Sequence, residues 1–186
     1  GDPINGLIVR GVAERPRIPT VEERFGLRCG AIATYPMYRG LAKLVGMDLL
    51  DTGTTTEDEF QTCLEQWDNY DYFFVHVKGT DEAGEDGDFR RKVSVIEEVD
   101  EKLPMLVDND PTVLAITGDH STPCAMELHS WHPVPLLVQS PRCDASGLKR
   151  FTEENCNCGS LGIFHARHLL PLMLASVTAT LGYRAV

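Results

Sequence analysis

The sequence predicts an α/β fold with a mostly parallel sheet, because short apolar runs alternate with segments that carry apolar residues at helical spacing. Two runs, DYFFVHV (71–77) and TVLAIT (112–117), are almost continuously apolar, which is typical of strands buried on both faces. The segment between them, FRRKVSVIEEVDEKL (89–103), places Val93 and Ile96 on one helical face. Strands joined through helices run parallel, so we expect helices on both faces of one sheet.

The remaining elements are predicted from the same patterns and from their end signals. Three further runs are predicted strands: GLIVRGV (6–12), CGAIAT (29–34) and PVPLLVQ (133–139). Pro19 and Thr20 are expected to open a short helix that ends at Gly26, and a second helix is expected over 35–47. A capping box of Thr54 and Glu57 should start a third helix. The last helix is indicated by an apolar stripe of Leu170, Met173, Leu174, Val177 and Leu181.

Length and charge exclude several classes of protein. A chain of 186 residues is long enough for one sizeable core. Its formal net charge of -11 argues against nucleic-acid binding, which normally requires a basic surface. We expect no membrane partner, because no apolar run is long enough to cross a bilayer. Six scattered cysteines and the lack of a signal pattern favour a reducing compartment, so a cytoplasmic location is expected.

Polar segments rich in carboxylates and histidines follow the predicted strands. KGTDEAGEDGD (78–88) is expected to be a loop after one strand, GDHSTP (118–123) follows the next, and ELHSWH (127–132) lies before the last. In open α/β sheets the ligand site lies beyond the carboxyl ends of the strands. These three segments are therefore expected to meet.

Five side chains in these segments are candidate metal ligands. Asp81 and Glu85 are four residues apart and share a helical face, although a solvated helix start is the more common explanation of such a pair taken alone. Asp119 and His120 directly follow a strand, where a helix N-cap is the alternative, and His129 adds a nitrogen donor. Their joint occurrence at one sheet edge favours a site for Mn²⁺, Zn²⁺ or a similar ion. Two ions about 4 Å apart would suit phosphoryl transfer.

The chain resembles the carboxyl-terminal part of the 2,3-bisphosphoglycerate-independent phosphoglycerate mutases of archaeal type, in the alkaline phosphatase superfamily. The resemblance covers essentially the whole chain. It rests on LIVRGV, YRGLAKLVGM, HVKGTDEAGEDGDFRRKVSVIEEVD, ITGDHSTP, HSWHPVPLLV and GSLGIFHARHLLPLMLA. It implies an alkaline-phosphatase-like three-layer αβα fold. Residues 1–27 would be the end of the inserted substrate-binding domain or a linker, and 28–186 the carboxyl-terminal half of the metal-binding domain.

The same resemblance implies two divalent metal ions, Mn, Zn or Mg. Asp81, Glu85 and His129 would bind one, and Asp119 with His120 the other, completed by ligands from an amino-terminal portion. A carboxylate at Glu85 departs from the family, which usually has a histidine there, and this affects the preferred metal. The implied activity is interconversion of 2-phosphoglycerate and 3-phosphoglycerate in glycolysis through a phosphoenzyme.

The catalytic nucleophile is expected in the missing amino-terminal portion, so we expect this chain to be a fragment with little activity alone and that portion to be its partner. Arg10, Arg39 and Lys78 each precede a glycine near an element end, and the resemblance assigns them to substrate binding. Arginine would bind a phosphate or carboxylate through a bidentate fork and lysine as a point charge. Surface charges are the alternative for these three.

Two other functions remain open from the sequence. One is a metal-dependent phosphomonoesterase or another phosphomutase of the same superfamily, since the metal ligands are shared. The other is a non-catalytic metal-binding module that retains the fold without the nucleophile.

Overall fold

A parallel sheet of three strands lies at the centre of the chain. The computed structural model describes residues 14–144 and 146–178. The strands are β1 (Cys29–Ala33), β2 (Asp48–Leu50) and β3 (Tyr72–His76), in the order β2-β1-β3. Ala31 of β1 pairs with Leu49 on one side and with Phe74 on the other. The predicted strand at 6–12 and Leu181 lie outside the described residues.

Helices lie on both sides of this sheet, as the αβα expectation requires. The helices are α1 (Val21–Phe25), α2 (Pro36–Leu44), α3 (Thr56–Glu65), α4 (Gly79–Glu85), α5 (Phe89–Lys102), α6 (Pro104–Val107), α7 (Glu153–Cys156) and α8 (Leu169–Thr178). Short 3-10 turns occupy Trp67–Asn69 and Ala166–His168. The α/β class is confirmed. Among the described residues, no helix is both long and apolar enough to span a bilayer.

For two helices, the capping residues in the sequence predicted the helix ends to within one residue or matched them. Thr20 caps α1 through a reciprocal bond with Glu23, and Gly26 ends it with a φ of 68°, a left-handed conformation that glycine adopts without strain. The start of α3 was predicted one residue too early. Its capping box is formed by Thr55 and Asp58, rather than by Thr54 and Glu57.

The two later strands form a separate pair and do not extend the parallel sheet, as the expectation of one sheet required. β4 (Leu114–Thr117) and β5 (Leu136–Gln139) are antiparallel, with Ala115 opposite Val138. The connection between them contains no helix. Antiparallel neighbours can be joined by a loop, whereas a parallel pair needs a long crossover. The returning loop is also what carries His129 back toward the end of β4.

The core lies between the sheet and α3, α5 and α6. Ile32 is fully buried and packs with Phe60, Cys63 and Leu106. On β3, in contrast, all five residues are only half-buried, so the expectation that DYFFVHV is buried on both faces is wrong for the described chain. The apolar side chains of β3 are therefore less buried by the described residues than their composition indicates.

One buried carboxylate in α3 makes stability depend on pH. Glu59 is 4% exposed. Burial, reinforced by the nearby carboxylates of Glu98 and Asp58, raises the pKa of Glu59 to about 7 from its ordinary value of 4.5. The folded state therefore favours the protonated acid. The contribution of protonated Glu59 to the free energy of unfolding is therefore fully present below pH 4.5 and is lost as the pH rises through about 7.

Glu59→Gln should remove this dependence, because glutamine stays neutral. At pH 8 we expect its free energy of unfolding to exceed that of the parent chain by an amount on the order of 2–3 kcal/mol, with little difference below pH 4.5. Urea unfolding followed at both pH values measures this. Glu97→Gln, at an exposed position on α5, is the matched control. Parallel pH profiles for the parent chain and Glu59→Gln would contradict the account.

Candidate metal centre

Three segments that follow or precede strands meet at one place in the structure. Asp81 comes from α4 after β3, His120 from the turn after β4, and His129 from the loop that returns to β5. One donor atom from each lies within 4.8 Å of the others. A backbone bridge between Ser121 and Ser130 holds the two histidine-bearing segments side by side.

The acidic segment 78–88 was predicted as a loop, and most of it is helical instead. Residues Gly79–Glu85 form α4, and the buried Ala83 and Gly84 face the protein interior. The helical turn places Asp81 and Glu85 on one face, as their spacing indicated. Tertiary packing of the small residues offsets the low helix propensity of glycine and aspartate here.

Asp81 is the most enclosed acid of the group, with a side chain that is 14% exposed. Its Oδ2 pairs with the Nζ of Lys78, and its Oδ1 accepts a hydrogen bond of 2.5 Å from the hydroxyl of Thr122. Burial alone would raise the pKa of Asp81, but the hydrogen bonds from Lys78 and Thr122 outweigh it and hold the pKa below its usual value. The carboxylate is therefore kept in the anionic form that a cation needs.

His129 lies between the two acids of α4. Its Nε2 is 3.4 Å from Oδ1 of Asp81 and 3.4 Å from Oε1 of Glu85. Both His129 and Glu85 are about half exposed, whereas Asp81 is not. Glu85 thus faces the same space as His129 from the solvent side. Imidazole and carboxylates in this arrangement form one half of the candidate centre.

Asp119 and His120 form the other half. Nε2 of His120 is 3.4 Å from Oδ2 of Asp119. The His120 ring also lies against the His129 ring, with 3.8 Å between centroids, so the two halves are adjacent. The Nδ1 of His120 points the opposite way, toward Asp81 at 3.8 Å.

Two residues that contact these acids were not predicted. The buried Tyr38 of α2 donates its hydroxyl hydrogen to Oδ2 of Asp119, and its ring stacks on His76 at 3.8 Å. The hydroxyl of Thr122 contacts both Asp81 and His120. Thr122 belongs to the conspicuous GDHSTP segment, which offered a signal, whereas nothing local to Tyr38 points to a residue 81 positions away.

The three predicted basic residues have different outcomes. Arg10 lies outside the described residues. Arg39 donates to the carbonyl oxygen of Ala33 at 3.2 Å and to Asp51 at 3.1 Å, at the carboxyl end of β1. Lys78 is mostly buried beside Asp81. Burial alone would lower the pKa of Lys78, but its hydrogen bond and charge interaction with Asp81 raise it, so it stays cationic.

The donor set fits a divalent cation. Carboxylate oxygens and imidazole nitrogens from three segments are already adjacent, and the acids outnumber the single paired lysine. Mixed oxygen and nitrogen donors suit Zn²⁺ and Mn²⁺, while a Mg²⁺ site would rely more on oxygen. An α/β fold with such donors grouped at its strand ends defines a metal-dependent enzyme class.

The chain belongs to the Metalloenzyme superfamily, whose profile matches residues 5–176. Membership and the Asp81, His120 and His129 cluster together indicate use of a divalent metal.

Curated relatives bear out the resemblance noted in the sequence. A probable 2,3-bisphosphoglycerate-independent phosphoglycerate mutase of Aquifex aeolicus is 51% identical over 182 residues, which is 97% of this chain and 45% of that protein. Proteins of the same description from Thermotoga neapolitana and Thermus thermophilus are 54% and 46% identical, and the matches cover 43% and 46% of their lengths. This chain therefore spans slightly less than half the length of those relatives.

Two solved structures resemble the fold. A Pyrococcus horikoshii protein is 29% identical with a TM-score of 0.84, and the match covers 92% of this chain and 55% of that one. The cofactor-independent phosphoglycerate mutase of Thermoplasma acidophilum has a TM-score of 0.66 at 18% identity, over 87% of this chain and 39% of that one. The second likeness concerns the fold alone.

Proposed function

We propose that this chain supplies the metal-binding part of a cofactor-independent phosphoglycerate mutase, which interconverts 2-phosphoglycerate and 3-phosphoglycerate in glycolysis. The observation that carries the proposal is the meeting of Asp81, His120 and His129 in a chain that is 51% identical to a relative of that description. The hydroxyl nucleophile that forms the phosphoenzyme belongs, in this proposal, to the portion of the relatives that this chain does not match.

The ligands divide into two centres. Asp81, Glu85 and His129 would hold one ion, because Nε2 of His129 faces both acids at 3.4 Å. Asp119 and His120 would contribute to a second, since Nε2 of His120 faces Asp119 at 3.4 Å. Bound divalent ions, Mn, Zn or Mg, supply Lewis-acid stabilisation of phosphoryl oxygens.

The basic residues would hold the substrate. Lys78 offers a point charge next to the acids, and its Nζ lies 4.6 Å from the centroid of the Tyr35 ring, which limits its range of positions. Arg39 would act through its planar fork at the end of β1, and Arg10 through a second one. Lys78 and Arg39 both have acidic partners that a substrate phosphate would have to replace.

The rest of the mutase would bind next to the metal centre. Residues 1–27 are proposed to end the substrate-binding domain or link to it, and 28–186 to form half of the metal-binding domain. Exposed Leu128 and Trp131 flank His129, and apolar side chains at such a position suit burial by a partner segment. All six cysteines are free, which supports a reducing, cytoplasmic location.

Product analysis tests the activity. The full-length protein, loaded with Mn²⁺ and given 3-phosphoglycerate, should form 2-phosphoglycerate without net release of phosphate. The matched control is the 186-residue chain under the same conditions, which should show little turnover. Stoichiometric phosphate release would favour a phosphomonoesterase instead. Metal binding with neither reaction would favour a non-catalytic module, and either result overturns the mutase proposal.

A further inference from the structure

Thr122 lies between the two halves of the candidate metal centre. It is buried, with 4% of its surface exposed. Its Oγ1 is 2.5 Å from Oδ1 of Asp81 and 3.0 Å from Nδ1 of His120. A single hydroxyl thus connects the acid of one half with the imidazole of the other.

The hydrogen bonds can be ordered from the chemistry of the three groups. Asp81 is paired with the ammonium of Lys78, so its carboxylate only accepts hydrogen bonds. The one hydroxyl hydrogen of Thr122 therefore goes to Asp81, and Oγ1 is left as an acceptor for His120. Nδ1 of His120 must then carry the hydrogen. In the neutral ring this leaves the lone pair on Nε2, the atom that is 3.4 Å from Asp119.

We propose that Thr122 is a positioning residue that fixes the tautomer and orientation of His120, so that Nε2 is its metal-binding atom. The inference rests on the metal centre of the proposed function, but not on the mutase reaction. Its action is through His120 and Asp81 rather than by contact with substrate. Ligating histidines commonly need such a partner on the second ring nitrogen.

Two further contacts, one from α5 and one from α4, hold Thr122 in place. Lys92 of α5 donates from Nζ to the carbonyl oxygen of Thr122 at 2.5 Å. Gly84 of α4 allows the same carbonyl to come close, since a Cβ atom at that position would lie 2.3 Å from the Thr122 oxygen. Both α4 and α5 therefore fix the backbone that carries the hydroxyl. The orientation of Oγ1 follows from packed elements rather than from a free turn.

The test is the tautomer of His120 in the metal-free 186-residue chain. The chain is labelled with ¹⁵N-histidine, and long-range ¹H–¹⁵N correlation spectra are recorded at alkaline pH, where imidazoles are neutral. We expect hydrogen on Nδ1 of His120 and a bare Nε2. Thr122→Val keeps the side-chain shape without the hydroxyl and should shift His120 toward the Nε2–H form. Thr122→Ser restores the hydroxyl and should restore the parent spectrum.

His132, whose Nδ1 lies 2.8 Å from the hydroxyl of Ser130, is an internal reference that should not change. Hydrogen on Nε2 of His120 in the parent chain would overturn the inference even if Thr122→Val does not fold. An unchanged tautomer in folded Thr122→Val would overturn it as well. The NMR readout does not depend on turnover. If the full-length protein lacks mutase activity but His120 has the expected tautomer, the proposed function is wrong and this inference still holds.

Metal affinity provides the second readout. Calorimetric titration with Mn²⁺ should show a loss of about 10- to 100-fold in affinity for Thr122→Val and a much smaller change for Thr122→Ser. Equal affinities for the parent chain and folded Thr122→Val would contradict a positioning role.

Discussion

Asp81→Asn should lower the affinity of the chain for Mn²⁺ by at least about 100-fold, more than the loss expected from removing a partner that only orients a ligand. Asparagine has the shape of aspartate, but its one carbonyl oxygen can replace only one of the two carboxylate oxygens that accept hydrogen bonds from Thr122 and Lys78. The change therefore removes the negative charge, which is enclosed at this position, together with one of these two hydrogen bonds. Two histidines and an exposed Glu85 would remain, with Lys78 now an unpaired cation beside them.

Calorimetric titration of the parent chain and Asp81→Asn measures this effect. Asp86→Asn is the matched control, because Asp86 lies in the same acidic segment but is largely exposed and pairs with Arg91 at 2.8 Å. We expect its Mn²⁺ affinity to stay within a factor of about two of the parent, as a surface ion pair contributes little. Unchanged affinity in Asp81→Asn would remove Asp81 from the site.

The second large effect is expected at Gly84. A Cβ atom there would lie 2.3 Å from the carbonyl oxygen of Thr122 and 2.9 Å from its Cγ2. The oxygen cannot withdraw freely, because Lys92 donates a hydrogen bond to it at 2.5 Å. Gly84→Ala should therefore push α4 away from the turn after β4. We expect a loss in free energy of unfolding of at least about 2 kcal/mol, together with weaker metal binding.

Gly40→Ala is the matched control for Gly84→Ala, since both positions are helical. A Cβ atom at Gly40 in α2 meets nothing within 4 Å. There the substitution should stabilise the chain by about 0.5–1 kcal/mol through the better helix propensity of alanine. Urea unfolding of both variants tests the comparison. If Gly84→Ala is as stable as Gly40→Ala, the close contact between α4 and Thr122 is not a constraint on the fold.

Elements with a long local pattern could be predicted from the sequence. The apolar spacing of α5 and the cap signals of α1 each depend on residues within a few positions, so they are visible in one window. The prediction of a loop at 78–88 was wrong for the same reason, because it used only local residues. The three glycines and five carboxylates of this segment indicate a loop locally, and only the packing of Ala83 and Gly84 makes α4 helical. Likewise, the antiparallel pairing of β5 with β4 depends on the return path of the chain, which apolar runs do not specify.

The candidate site shows the same difference between local signals, which the sequence reveals, and long-range packing, which it does not. Asp81, His120 and His129 could be predicted because each is a distinctive residue in a polar segment at a strand end. The long-range contacts of the candidate ligands could not be predicted, since Tyr38 meets Asp119 across 81 positions and Thr122 meets Asp81 across 41. Contacts of this kind depend on the packing of whole elements. The sequence thus indicated the candidate ligands but not the residues that contact them.

In a crystal of the chain soaked with Mn²⁺, the anomalous signal of the metal locates the bound ions directly. We predict a peak within coordination distance of a carboxylate oxygen of Asp81 and Nε2 of His129, with a second site bounded by Asp119 and Nε2 of His120. A Mn²⁺ peak bound elsewhere, with none at Asp81, His120 or His129, would contradict this prediction.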